Sequence, residues 1–301
     1  MPRPVIVGVD ASHESRAAAV WAAREASRRR APLRLLHVCA WHPPVASGAS
    51  GSASQHLLAR RVLRETEAHV RSVCPGADLV VEQAEGLPSR ALLGAAEEAE
   101  VLVLGSRGLG ALTGFVLGSV AQAVVARAVC PVVLVRAGRG AGDGRRYAVP
   151  HAGSHRTAAR DVVLGLDLND PCDDLIDFAF DTARLRSARV RVVSAWSGPS
   201  AFTLGPGEVG LIEGPQRAEE WRGFQDAVLL AWRDKYPTVA VTGDVAEGRA
   251  SRALVRAAAD AALLVVGRRT CAEPHMGMRT GPVAHAVSQH ARCPVAVVPH
   301  S

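Results

Sequence analysis

Two stretches of this chain repeat one another. Gly86–Val135 reads GLPSRALLGAAEEAEVLVLGSRG…GS…CPVVLV, and Gly248–Val298 reads GRASRALVRAAADAALLVVGRRT…GP…CPVAVV. The copies are offset by 157 residues at Asp10/Asp167, 162 at Ser89/Ser251 and 163 at Cys130/Cys293. So steady a register means duplication with small loop changes. Such a chain must fold as two versions of one unit. Its 301 residues, 48% of them apolar, are enough for two cores of roughly 140–150 residues each.

Within each copy short apolar runs alternate with helical periodicity. In the first, strands are expected at Val5–Asp10, Leu33–Ala40, Asp78–Glu85, Val101–Leu104 and Val132–Val135. Helices are expected at Ser15–Arg30, Gln55–Val73, Pro88–Ala99 and Ser119–Ala128, with Pro88 suited to a first helical turn and Trp41–Ser54 read as a loop. The second copy restarts the pattern with strands at Asp161–Asp167, Arg189–Trp196, Val239–Glu247, Leu263–Val266 and Val295–Val298. Helices there are expected at Asp173–Ser187, Glu213–Asp234, Ser251–Ala259 and Gly281–His290. Alternating strands and helices with uniformly apolar strands give an α/β protein: two tandem doubly wound domains, each a five-stranded parallel sheet flanked by helices. The domains are expected at 1–137 and 160–301. Residues 138–159, rich in Gly, Arg and Ala, read as the linker.

The glycine-containing loop after the fourth strand carries the chemistry. In open parallel sheets ligands sit beyond the carboxyl ends of the strands, where neighbouring connections diverge to opposite faces. Asp10, Val38 and Gly105 all fall there. From Gly105 the sequence runs G-S-R-G, nine further residues, then Gly118-Ser119 at a helix start. Gly105 and Gly108 can take φ > 0 and let backbone approach a ligand. Gly118 and Ser119 offer unpaired N–H groups and a hydroxyl where the helix dipole favours anions, and Arg107 can add a charge-assisted contact. Asp10 can accept hydrogen bonds from an adenine amino group or a ribose hydroxyl. A plainer account stands beside this one: glycines that only permit turns, Ser119 as an N-cap, Asp10 as a cap of the following helix. Spacing alone leaves both open. Neither a P-loop nor a dinucleotide fingerprint is present.

Other functional classes fare worse. The net charge is +6, but the arginines are interleaved with acids along helices and aromatic residues make up only 4%, which argues against nucleic acid. Lys235 is the only lysine, a sign of coding bias before phosphate recognition. No run approaches the ~20 apolar residues of a membrane span. Strand-like PVIVGVD starts at Pro4, so no signal peptide and a cytoplasmic location are expected. The six cysteines show no CxxC or zinc spacing, and Cys130 and Cys293 read as packing residues at strand entrances. His285 and His290 lie about 140° apart around a helix, too divergent to share a metal. No nucleophile, acid/base pair or metal site is recognisable, so the chain is not read as an enzyme.

The opening GVDASHES and the segment GSRGLGALTGFVLGSVAQAVVARAVCPVVLV closely resemble the universal stress protein family: its GVDGSxxS start, and its G-x2-G-x9-G-[S/T] ATP-binding signature followed by a Pro-Val strand. The likeness spans nearly the whole chain in two units. It implies strand order 3-2-1-4-5 and an ATP site formed by Gly8, Asp10, Val38, Leu104, Gly105, Arg107, Gly108, Gly118, Ser119 and Val120, with magnesium expected alongside ATP. It also implies pairing through the last strand, here Val132–Val135 with Val295–Val298 as an internal pseudo-dimer, with a homodimer of tandem units equally compatible. An unidentified stress-response partner would read nucleotide occupancy.

The second copy departs from the signature. Gly267-Arg268-Arg269-Thr270 lacks the second glycine, the gap to Gly281 is ten residues, and Pro282 replaces the serine, which removes an N–H and a hydroxyl. Asp167, Gly267, Arg269 and Gly281 are left as a weak second site. The expectation is an ATP-binding regulatory module with nucleotide mainly in the first domain. A slow ATP-hydrolysing enzyme on the same fold, or a ligand-free scaffold, are the alternatives.

Overall fold

Valine- and leucine-rich strands too apolar to face water on either side must be covered by helices on both, and both copies meet that demand in the same way. The computed structural model describes residues 2–39, 50–106, 117–137, 160–196, 214–270 and 280–301. Two compact units emerge, one for each repeat. The first comprises β1 (Val5–Gly8), α1 (His13–Arg29), β2 (Leu33–Cys39), α2 (Ser50–Val73), β3 (Leu79–Glu85), α3 (Pro88–Glu98), β4 (Val101–Ser106), α4 (Ser119–Val125) and β5 (Val132–Arg136). Its strands are parallel in the order β3-β2-β1-β4-β5. Helices α1 and α2 pack together on one face, α3 and α4 on the other.

The second unit repeats the plan with β6 (Val162–Gly165), α5 (Asp173–Arg186), β7 (Val190–Trp196), α6 (Gly214–Lys235), β8 (Val241–Glu247), α7 (Ala250–Ala257), β9 (Leu263–Arg269), α8 (Pro282–His290) and β10 (Val295–His300). Its order, β8-β7-β6-β9-β10, is that of the first sheet, again parallel throughout. The central strands are sealed: Val5, Ile6, Val7, Val101, Leu102 and Val103 have no exposed surface, nor do Val162, Val163, Leu164, Leu263, Leu264 and Val265.

Local geometry is copied as faithfully as topology. Gly86 and Gly248 follow β3 and β8 with φ of 123° and 107°, values that only glycine adopts without strain, and each donates its N–H across to the end of the neighbouring strand, Cys39 O and Trp196 O. Helices α1 and α5 both close on a left-handed residue, Arg30 (φ 52°) and Ser187 (φ 50°). The N–H of the next residue, Ala31 or Ala188, then returns to Ala26 O or Ala183 O.

Several expected boundaries move. Helix α1 starts at His13 rather than Ser15, because Ser12 supplies the N-cap by accepting from Ser15 N at 3.1 Å. Strands β4 and β9 run on past Leu104 and Val266 to Ser106 and Arg269, since β5 and β10 continue to pair with them. Gly105, Gly267 and Arg269 are therefore strand residues and not loop residues. Helix α2 begins at Ser50, within the stretch read as loop. Arg107, Gly108 and the segment 138–159 lie outside the described residues.

Candidate functional site

In the first sheet the chain order reverses between β1 and β4. Strand β1 leads to α1 on one face and β4 leads towards α4 on the other, so a crevice opens between their carboxyl ends. The register levels the candidates there: Gly8 stands opposite Leu36 on one side and Leu104 on the other, and Val38 lies two residues further along β2. The structure thus brings Gly8, Asp10, Val38, Leu104 and Gly105 to one end of three adjacent strands.

Each glycine there has a steric reason. A Cβ on Gly8 would stand 2.8 Å from Leu104 Cδ2 and 3.1 Å from Leu92 Cδ2, so the residue is bare to let α3 close on the sheet. Gly105 is tighter: a Cβ would lie 2.7 Å from Glu14 C and from Ser15 N, and 2.9 Å from Glu14 O. The first turn of α1 rests directly on β4. The positive φ open to Gly105 is not used, because a residue paired within a parallel strand keeps extended backbone.

That turn of α1 is fastened by a local network. Asp10 Oδ1 accepts from Ser12 N at 3.1 Å and Ser12 Oγ at 2.5 Å, while Ser15 Oγ accepts from Asp10 N at 3.3 Å and donates to Ser12 O at 3.0 Å. Asp10 is therefore not itself the N-cap; it holds the residue that is. Ala11 between them is forced to φ 68°. On the β2 side, His37 Nδ1 lies 2.7 Å from Val9 O and ties the strand end to the same loop. Ser12, Ser15 and His37 are not among the expected site residues, although a Ser standing directly before a helical pattern, as Ser12 does, is a usual sequence sign of an N-cap.

At the far wall Gly118, not Ser119, caps α4: it is extended (φ −60°, ψ 148°), and no side chain bonds the helix terminus. Ser119 is the first helical residue and exposed, with Val120 half-buried behind it. Its hydroxyl is not consumed by capping. No group of three His, Cys, Asp or Glu among the described residues can hold a metal ion, so these residues do not build a magnesium site. Among them, too, no helix is long and apolar enough to cross a membrane.

The second unit places Asp167, Gly267, Arg269 and Gly281 around the equivalent crevice, but differently. Asp167 Oδ1 takes Asn169 N at 3.0 Å and Asn169 Nδ2 at 3.1 Å. Arg269 is engaged by Asp170, with Nη2 2.6 Å from Oδ2. Gly281 caps α8 at φ 74°, where Gly118 is extended, and Pro282 occupies the first helical position. Arg268, in the place of Ser106, is buried, and that burial pushes its guanidinium down from the ordinary range.

The universal stress protein family model matches residues 1–136 and 159–299. The chain belongs to this family. A universal stress protein of Mycobacterium tuberculosis (strain H37Rv) is 32% identical over 99% of this chain and 97% of its own, and one of Mycolicibacterium smegmatis is 31% identical over 98% and 96%. Both are tandem in extent, matched from end to end. Among solved structures, a universal stress protein from Archaeoglobus fulgidus superposes with a TM-score of 0.70 at 17% identity, covering 99% of this chain and 98% of that one. At that identity the likeness speaks for the fold. The duplicated universal stress protein architecture is thus common to sequence relatives and to a structure far removed in sequence.

Proposed function

We propose that this universal stress protein binds an adenine nucleotide, ATP, in the crevice of its first unit and acts as a regulatory module whose state depends on occupancy. The carrying observation is the convergence of Gly8, Asp10, Val38, Leu104 and Gly105 at the switch point between β1 and β4, facing a helix start whose N–H groups and Ser119 hydroxyl are not tied up by a side-chain cap. A base and ribose would lie along the β1 and β2 ends, with Asp10 accepting from the ribose or the adenine amino group. The phosphates would meet the N–H groups of Ser119 and Val120 and the Ser119 hydroxyl, where the helix dipole favours anions. A magnesium ion accompanying ATP would be carried by the phosphates. In the second unit Pro282 lacks the corresponding N–H and hydroxyl, and Arg269 is already paired, so that site is weak or empty.

Among the described residues, nothing supplies a positioned base for water or a second nucleophile, which favours binding and release over turnover. Titration calorimetry on the whole chain tests the reading. One ATP per chain is expected, with Ser119→Ala weakening it about five- to tenfold for the loss of one hydroxyl contact. Two equal sites, or indifference to Ser119→Ala, would sink it.

A further inference from the structure

The units diverge most where the first strand hands over to the first helix. Helix α1 begins at His13, three residues past Asp10; α5 begins at Asp173, six past Asp167, although their C-caps keep the 157-residue offset. Helix α5 has therefore lost the opening turn that α1 lays on Gly105. Pro171 and the Asx-turn at Asp167 hold Asn169–Cys172 out of the helix instead.

Two side chains fill what the missing turn leaves. The space over Gly267 is taken by the ring of His300, whose Nε2 and Cδ2 stand 2.7 and 2.9 Å from where a Cβ would be, with Leu175 Cδ2 at 3.3 Å. The backbone of His300 is anchored just past the end of β9: its carbonyl accepts from Thr270 N at 2.6 Å and Thr270 Oγ1 at 2.9 Å, while the ring itself stays free to turn. Asp170, which closes the turn begun at Asp167 by donating its N–H to Asp167 O at 3.2 Å, reaches the end of β9 and pairs with Arg269 at 2.6 Å. The pair spans the entrance between the β6–α5 connection and β9, where the first unit has its crevice. At the position matching Asp170 the first unit carries His13, exposed and not acidic.

We propose that Asp170 is the residue that keeps nucleotide phosphates out of the second unit, by holding Arg269 and by placing a carboxylate where a phosphate would approach. This deepens the proposed function and rests on it. Arg269 matches Arg107 of the first signature, so a nucleotide entering the second crevice would have to take this guanidinium from Asp170 and face the carboxylate left behind. Because the two side chains are 62% and 47% exposed, the pair is screened by solvent, and the barrier it sets is modest and reversible. Pro282 makes the site poor, and Asp170 adds a further, smaller barrier at its entrance.

The test is photolabelling of the whole chain with 8-azido-ATP at low salt, with labelled peptides assigned to one unit or the other by mass spectrometry. Asp170→Asn should raise labelling of second-unit peptides about two- to fivefold and leave first-unit labelling unchanged. Arg269→Gln breaks the same ion pair but removes the phosphate partner, so it should give no rise, and Asp170→Asn combined with Arg269→Gln should return to the unmodified level. No rise with Asp170→Asn, or an equal rise with Arg269→Gln as general loosening would produce, overturns the proposal. First-unit labelling is read separately: its absence counts against the proposed nucleotide site, whatever the second unit does.

Discussion

Gly105 and Gly267 occupy the same place in the two signatures, and alanine at each should have very different consequences. Neither has a positive φ, so alanine adds no backbone strain and slightly favours folding by restricting the unfolded chain, by about 0.4–1 kcal/mol. The difference lies in what the new methyl meets. At Gly105 it meets the backbone of Glu14 and Ser15 at 2.7 Å, and no rotamer change can move backbone. The first turn of α1 must lift from β4, at an overpacking cost of about 1–3 kcal/mol. Lifting it also loosens the Ser12 cap, worth about 1 kcal/mol. The net expected loss is about 1–3.5 kcal/mol, centred a little above ~2 kcal/mol. At Gly267 the methyl meets the His300 ring and the tip of Leu175, both free to turn aside, so the loss should stay within about 1 kcal/mol. Thermal unfolding should show the transition of the first unit lowered by about 5–10 °C in Gly105→Ala and that of the second by no more than ~4 °C in Gly267→Ala. Hydrogen exchange in the Gly105→Ala chain should rise at Ser15 and Arg16 before it rises in β1. Equal shifts for the two variants would refute the claim that the shared glycine serves different contacts.

Two other outcomes follow from the same local physics. Ala11 sits at φ 68°, so Ala11→Gly should stabilise the first unit by about 0.5–1 kcal/mol once the greater freedom of the unfolded chain is subtracted; a lowered melting temperature would contradict it. Burial pushes the Cys130 thiol from 9.0 up to about 11. Burial favours the protonated form, so the stability it contributes is full below about pH 9 and is lost as pH rises towards 11. Native Cys130 should resist iodoacetamide at pH 8 and react once urea unfolds the chain, with labelled peptides compared by mass spectrometry; fast native alkylation would show that the thiol is accessible as thiolate.

The fold could be read from the amino acids because its determinants are local and doubled. Apolar runs such as VIVG and VVLG, followed by helical periodicity, have few alternatives, and a second copy in steady register removes most of those. Helix starts were legible where their signal was also local: Gly118-Ser119 at the start of α4 and Pro282 at the first turn of α8 are where the pattern put them. Less legible were details set by the atoms of a particular neighbour elsewhere in the chain. Gly105 looked like a glycine chosen for φ > 0 and is instead a glycine chosen because α1 lies on it, 90 residues earlier in sequence. Strand ends were misplaced for a related reason, since β4 and β9 are prolonged by partners that pair with them and not by their own propensity.

From sequence alone, then, come the duplication, the parallel α/β plan of each unit and the chemical lopsidedness of the two signatures, because composition, period and a lost donor are properties of single segments. Only the tertiary structure decides what the lopsidedness amounts to. It shows α5 opening a turn later than α1, His300 filling the space that turn vacates and Asp170 holding Arg269 across the second entrance. Those three residues lie up to 130 positions apart, and no pattern within any one of their segments foretells that folding will set them side by side.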